Sequence, residues 1–281
     1  MRKRLITLAG ISVLSAVVVA SARGDGGPGP GVVQGWDGVA RGPVRYVAFA
    51  TGTNTVLEVV RRQGGRVIRY SILPGSYGIP QVAYDGTTAG LSHDGRTLVL
   101  GDVAGSPQLK KTSSFAIVGV RGLRLRRIVR LPGDFSFDAI SPGARMLYLI
   151  EHVSAEDTIS YRVRAYDLGA QRLLPQVIID KTSWESVMRG YPYARAVTGD
   201  GRWVYTLYSG GPHPFVHALD TQSAHAVCVD LPKSWNKLNV ARMTLRLTPD
   251  ARLVIRYGSG PRKLAVVDTN EQRLLSIVRV P

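Results

Sequence analysis

Aromatic side chains concentrate in a few segments that separate runs of alternating apolar and polar residues. Aromatic rings offer a large contact area at low entropic cost, and an arginine beside them can hold an acidic group through two parallel hydrogen bonds. These segments therefore predict a site for a sugar or a peptide, unless the rings instead pack between structural elements. The predicted binding residues are Tyr77, Trp184, Tyr191, Tyr193, Arg195 and Trp235.

Three carboxylates in the same kind of segment are candidates for acid and base catalysis: Asp134, Asp138 and Glu185. Paired carboxylates must approach within a few ångströms to shift each other's pKa. Neither the G-x-S-x-G nor the H-E-x-x-H motif occurs, and the sequence favours a protein that is not an enzyme. A hydrolase or lactonase-type activity is the alternative.

Histidine and cysteine add no further chemistry to this inventory. His213 and His217 lie in a loop that runs into a strand, so the helical spacing of zinc ligands does not apply to them. The single cysteine, Cys228, cannot form an internal disulfide and is expected to be a buried apolar residue. No metal or cofactor is predicted.

Four related stretches show how such segments would be positioned: GLSHDGRTLVLGD, ISPGARMLYLI, VTGDGRWVYTL and LTPDARLVIRY. Each has an arginine at the same place, followed by an apolar alternation, and Arg45 begins a similar run upstream. The five arginines recur about every 50 residues, as expected of a repeat architecture. They are Arg45, Arg96, Arg145, Arg202 and Arg252.

Each repeat contains four short strands separated by turns, rich in Val, Ile, Leu and Tyr. Asp167, Asp220 and Asp268 are predicted to begin hairpin turns by accepting backbone hydrogen bonds. Four-stranded units repeated about five times predict an all-β fold, a β-propeller with five blades. A two-sheet sandwich is the alternative. The first unit lacks an innermost strand unless residues 32–39 supply it, and a helical turn is expected only within residues 181–190.

The repeat resembles the YVTN/WD40-like family of bacterial propeller repeats. The matching residues are Ser92, Asp94, Gly95 and Arg96, then Thr198, Asp200, Gly201 and Arg202, with the pairs Asp220-Thr221 and Asp268-Thr269. The resemblance covers about residues 35–281 and implies a fold without a particular chemistry, because the family includes surface-layer proteins, lactonases and other exported proteins.

The N-terminal residues 1–22 read as a signal peptide, with a basic start, an apolar stretch from Leu5 to Ala20 and the cleavage signal Ala20-Ser21-Ala22. An uncleaved membrane anchor is the alternative, since this segment is just long enough to span a bilayer. Residues 23–34 are expected to form a Gly/Pro-rich linker, and residues 35–281 the propeller domain. The chain is thus predicted to be secreted or otherwise extracytoplasmic, with no transmembrane segment after cleavage.

The net charge of +16 comes mostly from arginine and predicts attraction to anionic surfaces. Outside the cytoplasm these would be cell-envelope lipids or acidic polymers rather than nucleic acid. Nine arginines in the outer hairpins of the first two units predict a basic belt at the rim: Arg61, Arg62, Arg66, Arg69, Arg121, Arg124, Arg126, Arg127 and Arg130. The sequence therefore favours a monomeric binding module for an envelope ligand or an unidentified protein partner.

Overall fold

The computed structural model describes residues 30–103, 109–180, 186–258 and 262–278. Its regular structure is almost wholly β, which confirms the all-β fold class. Twenty-two strands form five antiparallel sheets of four or five strands each.

The sheets follow one another along the chain. Sheet 1 contains β2 (Val39–Arg41), β3 (Val44–Ala50), β4 (Asn54–Arg61) and β5 (Val67–Pro74). Sheet 2 contains β1 (Val32–Val33), β6 (Tyr77–Pro80), β7 (Thr97–Asp102), β8 (Thr112–Gly119) and β9 (Arg124–Pro132). Sheet 3 contains β10 (Asp134–Ile140), β11 (Met146–His152), β12 (Ser160–Asp167), β13 (Arg172–Ile178) and β14 (Met188–Arg189). Sheet 4 contains β15 (Tyr191–Val197), β16 (Trp203–Ser209), β17 (Phe215–Asp220) and β18 (His225–Asp230). Sheet 5 contains β19 (Met243–Thr248), β20 (Arg252–Tyr257), β21 (Lys263–Asp268) and β22 (Arg273–Ile277).

The innermost strand of sheet 1 is the short β2, which begins at Val39, the last residue of the predicted 32–39 segment. The earlier part of that segment serves the neighbouring sheet instead. Val32 pairs with Pro80 and Val33 with Ile79, so that β1 extends sheet 2 beyond β6. The start of the described chain is therefore tied to both of the first two sheets.

The predicted aspartate turns are confirmed at the hairpins that precede the outermost strands. Asp167 Oδ1 accepts the backbone N–H groups of Gly169 and Ala170, and Asp220 Oδ1 accepts that of Gln222 at 2.9 Å. Asp268 does the same for the two residues that follow Thr269. These backbone bonds, together with nearby arginines, hold the pKa of all three carboxyl groups below the usual range.

The arginines that mark the repeat have local structural partners. Arg202 forms an ion pair with Asp220 at 2.7 Å, joining the repeat turn to the aspartate turn of the same sheet. Arg252 pairs with Asp250, and Arg45 donates to the carbonyl of Trp36. The spacing near 50 residues therefore reflects a repeated turn.

Four clusters of buried apolar side chains fill the spaces between consecutive sheets, from sheets 1 and 2 through to sheets 4 and 5. Sheets stacked in chain order, each a meander packed face to face on the next, have the arrangement of propeller blades. Within the described residues no such cluster joins sheet 5 to sheet 1. The closed ring of five blades therefore stays a prediction.

Helical structure lies at a different place from the one expected. Residues 181–185 lie outside the described residues, and Met188–Arg189 form strand β14, which pairs with the start of β12. In the part of the chain that is described, the helical turns are two short 3₁₀ helices in the connector between sheets 4 and 5, Lys233–Lys237 and Val240–Arg242.

Candidate functional site

The loop between β6 and β7, residues 81–96, is here called the cross-channel loop. The backbone N–H groups of Tyr84 and Asp85 donate to the carbonyls of Pro192 and Tyr193 on β15, at 2.9 and 3.0 Å. Asp94 N–H donates to the carbonyl of Pro142, at the turn that follows β10. The loop thus leaves sheet 2, reaches β15 of sheet 4 at residues 84–85 and then meets the turn after β10 of sheet 3 before it returns to β7.

Arg195, predicted to bind an acidic ligand, is held inside the protein on β15. Its guanidinium forms an ion pair with Asp138, and the side chains are 3% and 4% exposed. Nε donates to Thr206 Oγ1 at 3.1 Å, and Nη1 donates to the Asp138 carbonyl. The charge of Arg195 is therefore compensated by the protein, and its role in this conformation is to fix sheet 4 against sheet 3.

Two of the predicted aromatic residues, Tyr191 and Tyr193, lie close together on β15 beside a third ring. The Tyr84 ring centroid lies 6.1 Å from that of Tyr191 and 5.9 Å from that of Tyr193. Tyr84 is 44% exposed, and the other two rings are half-buried. The Tyr191 hydroxyl is within 3.0 Å of Thr158 Oγ1. These three tyrosines, here called the tyrosine cluster, present aromatic surface to solvent on a backbone fixed by the cross-channel loop.

The remaining predicted binding residues do not join the tyrosine cluster. Tyr77 is 4% exposed within the core between sheets 1 and 2, and burial raises its pKa. Trp235 is 0% exposed in the core between sheets 4 and 5. Both rings contact protein on all sides, the packing role that the sequence left open. Trp184 lies outside the described residues.

The two candidate catalytic carboxylates within the described residues each have a cationic partner. Asp138 pairs with Arg195, and Asp134 Oδ1 lies 3.9 Å from Lys110 Nζ, which is 2.9 Å from Asp102 Oδ1. Asp134 and Asp138 are four residues apart on β10, whereas Glu185 lies outside the described residues. Neither aspartate thus stands as an uncompensated charge.

A small cavity of about 20 Å³, lined by both polar and apolar residues, lies between sheets 3 and 4 and has room for about one water molecule. Ser136, Asp138, His152, Tyr161 and Tyr208 are among the residues that line it. His152 Nε2 is within 3.1 Å of Ser136 Oγ, while His152 Nδ1 and the Tyr161 hydroxyl have no hydrogen-bond partner among the described groups. Burial, with a smaller contribution from the Lys110 charge, lowers the pKa of His152 to about 4.

A second buried histidine lies nearby in sheet 4. His217 Nδ1 is 3.7 Å from Cys228 Sγ, and the His217 ring meets that of Tyr208 edge to face. Burial lowers the pKa of His217 to about 4 and raises the pKa of Cys228 to about 12. The Cys228 thiol thus stays protonated and unreactive, although the residue is half-buried rather than buried as predicted. Residue types alone do not show the surroundings of either histidine, because Ser136 and Cys228 lie on strands that are paired with theirs only in the fold.

The arginines of the predicted basic belt lie on the outer hairpins of sheets 1 and 2. Several donate to backbone carbonyls of the next sheet: Arg69 Nη1 to Arg121, and Arg127 Nη1 to Leu168 at 2.7 Å. In the described structure none of the nine forms an ion pair with a carboxylate. Their charge therefore remains available to an anionic surface.

Within the described ranges, no group of three or more histidine, cysteine, aspartate or glutamate side chains is arranged to hold a metal ion. Across the same ranges, no helix has both the length and the apolar character needed to cross a membrane.

Five stacked antiparallel sheets with an exposed tyrosine cluster place the chain in the class of all-β repeat proteins. No protein-family model matches it, and no curated protein matches it. Among solved structures it is similar to TolB from Acinetobacter baumannii, with 13% identity over 81% of this chain and a TM-score of 0.43, and it spans 50% of that chain. It is also similar to a putative TolB from Agrobacterium tumefaciens, with 13% identity, 82% of this chain and 75% of that one covered, and a TM-score of 0.42. A WD40 domain of coronin from Toxoplasma gondii matches with 9% identity, 90% and 59% coverage and a TM-score of 0.43.

Proposed function

We propose that this chain is an extracytoplasmic interaction module, a propeller whose tyrosine cluster binds an envelope ligand or a protein partner. The observation that carries the proposal is the position of Tyr84. Its exposed ring lies against Tyr191 and Tyr193 on a loop that is fixed by backbone hydrogen bonds to the opposite sheet. Aromatic surface that is exposed yet held rigid contributes contact area at little entropic cost.

The net charge of +16 supports the same proposal, because it draws the chain toward anionic envelope material. Export through cleavage after Ala22 is part of the proposal, and the linker is shorter than the predicted 23–34, because Val32 and Val33 pair with β6 in sheet 2. A carbohydrate or a peptide suits the tyrosine cluster. Arg195 supports the cluster from within through Asp138, and it does not bind the ligand's charge.

Binding of the exported chain to purified cell envelope tests this function. At low salt we expect retention by the envelope, and replacing Tyr84 and Tyr193 with alanine should lower the bound fraction about tenfold in a chain that still folds, with some loss of stability because Tyr193 packs against the core between sheets 4 and 5. Tyr257→Ala is the control for loss of a half-buried tyrosine that packs against the same core, since its ring lies on β20 against the Arg242 guanidinium. Absence of retention in every envelope fraction, or equal retention of the double variant, contradicts the proposal.

A further inference from the structure

Exposed apolar side chains are concentrated in the first sheet. Ten large apolar residues in the described part of the chain are substantially exposed, and six of them lie between positions 36 and 72. Tyr70 and Ile72 are the most exposed, at 64% and 61%. A concentration of this kind marks an interaction surface, whereas single exposed apolar residues need no explanation. The six are Trp36, Phe49, Val67, Ile68, Tyr70 and Ile72.

The strand register places several of them on one face. Phe49 lies opposite Val56 on β4, which lies opposite Ile72 on β5, and Glu58 lies opposite Tyr70. Directly opposed residues in an antiparallel pair point to the same side of the sheet. The intervening residues, such as Leu57 and Val59, point the other way and are buried against sheet 2. Phe49, Tyr70 and Ile72 therefore lie on the face of sheet 1 that is turned away from sheet 2.

This face is only partly covered. Val47 and Val60, which share it, are each 1% exposed, whereas Phe49, Tyr70 and Ile72 are 36%, 64% and 61% exposed. Strand β5 is also the outermost strand, with a free hydrogen-bonding edge. A long apolar edge strand that remains uncovered promotes aggregation, so we expect β5 to be covered by a partner.

Positive charge lies beside the same face, because Arg45 is in register with Val60 and the turn between β4 and β5 carries Arg62 and Arg66, whereas Arg41 and Arg69 reach toward sheet 2. Residues 39–74 contain six arginines and one glutamate, a net charge of +5 (6 − 1). Trp36, Arg45, Arg62 and Gln63 line a groove at the turn between β4 and β5, where the Trp36 indole lies on Gly65. Both groove arginines donate to backbone carbonyls, and in the described structure neither pairs with a carboxylate. We name Trp36, Arg45, Phe49, Arg62, Tyr70 and Ile72 the basic apolar face.

We propose that the basic apolar face docks on a bilayer that contains anionic phospholipids. Tryptophan and tyrosine favour the boundary between headgroups and acyl chains, and aliphatic side chains insert into it. Arginines within a few ångströms of the surface are attracted by anionic headgroups, whose phosphates match the guanidinium geometry. The groove formed by Trp36, Arg45 and Arg62 would then receive a headgroup phosphate. This inference rests on the proposed extracytoplasmic function and names its envelope partner.

Charge favours a lipid surface over a second copy of the chain. A symmetric interface places the same patch on both sides, so Arg45, Arg62 and Arg66 would be brought toward an identical set. Like charges brought together across an interface oppose association. An anionic bilayer supplies the opposite charge together with an apolar layer for Tyr70 and Ile72.

The proposal is tested by vesicle sedimentation of the exported chain. We expect binding to equimolar phosphatidylcholine and phosphatidylglycerol vesicles, little binding to pure phosphatidylcholine, and release as NaCl rises from about 0.05 to about 0.5 M. Tyr70→Ser with Ile72→Ser should lower vesicle affinity about tenfold or more, because both side chains lose an apolar environment. Arg62→Gln with Arg66→Gln should flatten the salt dependence, and excess inorganic phosphate should compete only weakly.

Matched controls separate this face from general charge and apolarity. Leu275→Ser with Val278→Ser removes two side chains of similar exposure, 42% and 44%, from sheet 5 and the segment after it. Arg172→Gln with Arg246→Gln removes the same charge from sheets 3 and 5. Both control pairs should leave vesicle binding unchanged, and all variants should keep the wild-type unfolding midpoint, since the altered side chains are exposed.

Four results overturn the lipid proposal. Retention on whole envelope without vesicle binding removes the lipid partner and leaves the proposed function standing. Vesicle binding that Tyr70→Ser with Ile72→Ser does not weaken removes the basic apolar face as the docking surface. A dimer that this double variant dissociates, without vesicle binding, assigns the face to a second copy. Loss of retention on every envelope fraction contradicts the proposed function as well.

Discussion

His152 and His217 are imidazoles that the fold keeps neutral, being 8% and 2% exposed. Burial lowers the pKa of each from 6.5 to about 4. Between these values the unfolded chain binds a proton at each histidine and the folded chain does not. Stability therefore falls as the pH is lowered from 6.5 toward 4, because protons favour the unfolded state.

We expect the free energy of unfolding to fall by about 1–2 kcal/mol per buried histidine between pH 6.5 and pH 5. Urea unfolding at several pH values measures it. His152→Gln and His217→Gln should each reduce the slope of stability against pH, whereas His93→Gln, at an exposed position, should not. A wild-type chain that is equally stable at pH 6.5 and pH 5 contradicts the prediction.

Contacts between residues that are close in sequence could be predicted, whereas contacts between residues that are far apart in sequence could not. Asp167, Asp220 and Asp268 bind N–H groups two or three residues ahead, so sequence alone indicates their turns. Arg195 and Asp138 meet across 57 positions, and Ser136 reaches His152 through the pairing of β10 with β11. Those contacts depend on which strands become neighbours, which residue type does not reveal.

At the scale of the element, the repeated turn before each second strand needs one residue in the left-handed region. Gly95 and Gly201 occupy it with φ of 69° and 73°, and Ala144 and Ala251 with φ of 55° and 54°. Glycine adopts this conformation without strain, whereas alanine is strained by its Cβ. Gly201 also lies against the cross-channel loop, because a Cβ there would come 2.8 Å from His93 Cβ.

Gly201→Ala should therefore destabilise the chain by about 2 kcal/mol, through backbone strain and displacement of the cross-channel loop. Gly143→Ala is the matched control: a Cβ at this turn position meets nothing within 4 Å, and its φ lies outside the positive range. Denaturant unfolding of both variants compares them. Equal stability of Gly201→Ala and wild type shows that the loop does not pack tightly on this turn.

The strand-turn-strand pattern of each unit was visible in the sequence because apolar alternation repeats within it. The path of the cross-channel loop was not, since residues 81–89 have no periodicity and Tyr84 and Asp85 bind sheet 4 through backbone atoms. For the candidate site, the position of the Trp235 ring could not be predicted either. Its place in a connector suggested a ligand contact, yet the 3₁₀ helix Lys233–Lys237 turns its ring into the core.

At the scale of the whole molecule, stacking of the sheets follows from the repeat, because a twisted sheet with two apolar faces must bury both. The repeat does not predict what lies against the exposed part of the sheet 1 face that is turned away from sheet 2. The repeat predicts that a sheet packs between two similar sheets. This prediction does not extend to the outer faces of the first and last sheets. The exposed Trp36, Tyr70 and Ile72 are therefore a feature that periodicity does not explain.

The charge of +16 also acts on the whole molecule. Thirty-six basic residues oppose twenty acidic ones, so like charges repel one another more in the compact state than in the extended chain. At 0.1 M salt, exposed charges that are more than about 10 Å apart are largely screened from one another, whereas buried pairs such as Arg195–Asp138 are affected far less.

We expect the thermal unfolding midpoint to rise as NaCl increases from about 0.02 to about 0.3 M. The rise should be larger at pH 5 than at pH 7, since proton uptake adds positive charge. Calorimetry at both pH values measures it, and Arg121→Gln with Arg124→Gln should reduce the rise. A midpoint that falls with salt would show that exposed ion pairs, such as Arg252–Asp250, outweigh the net repulsion.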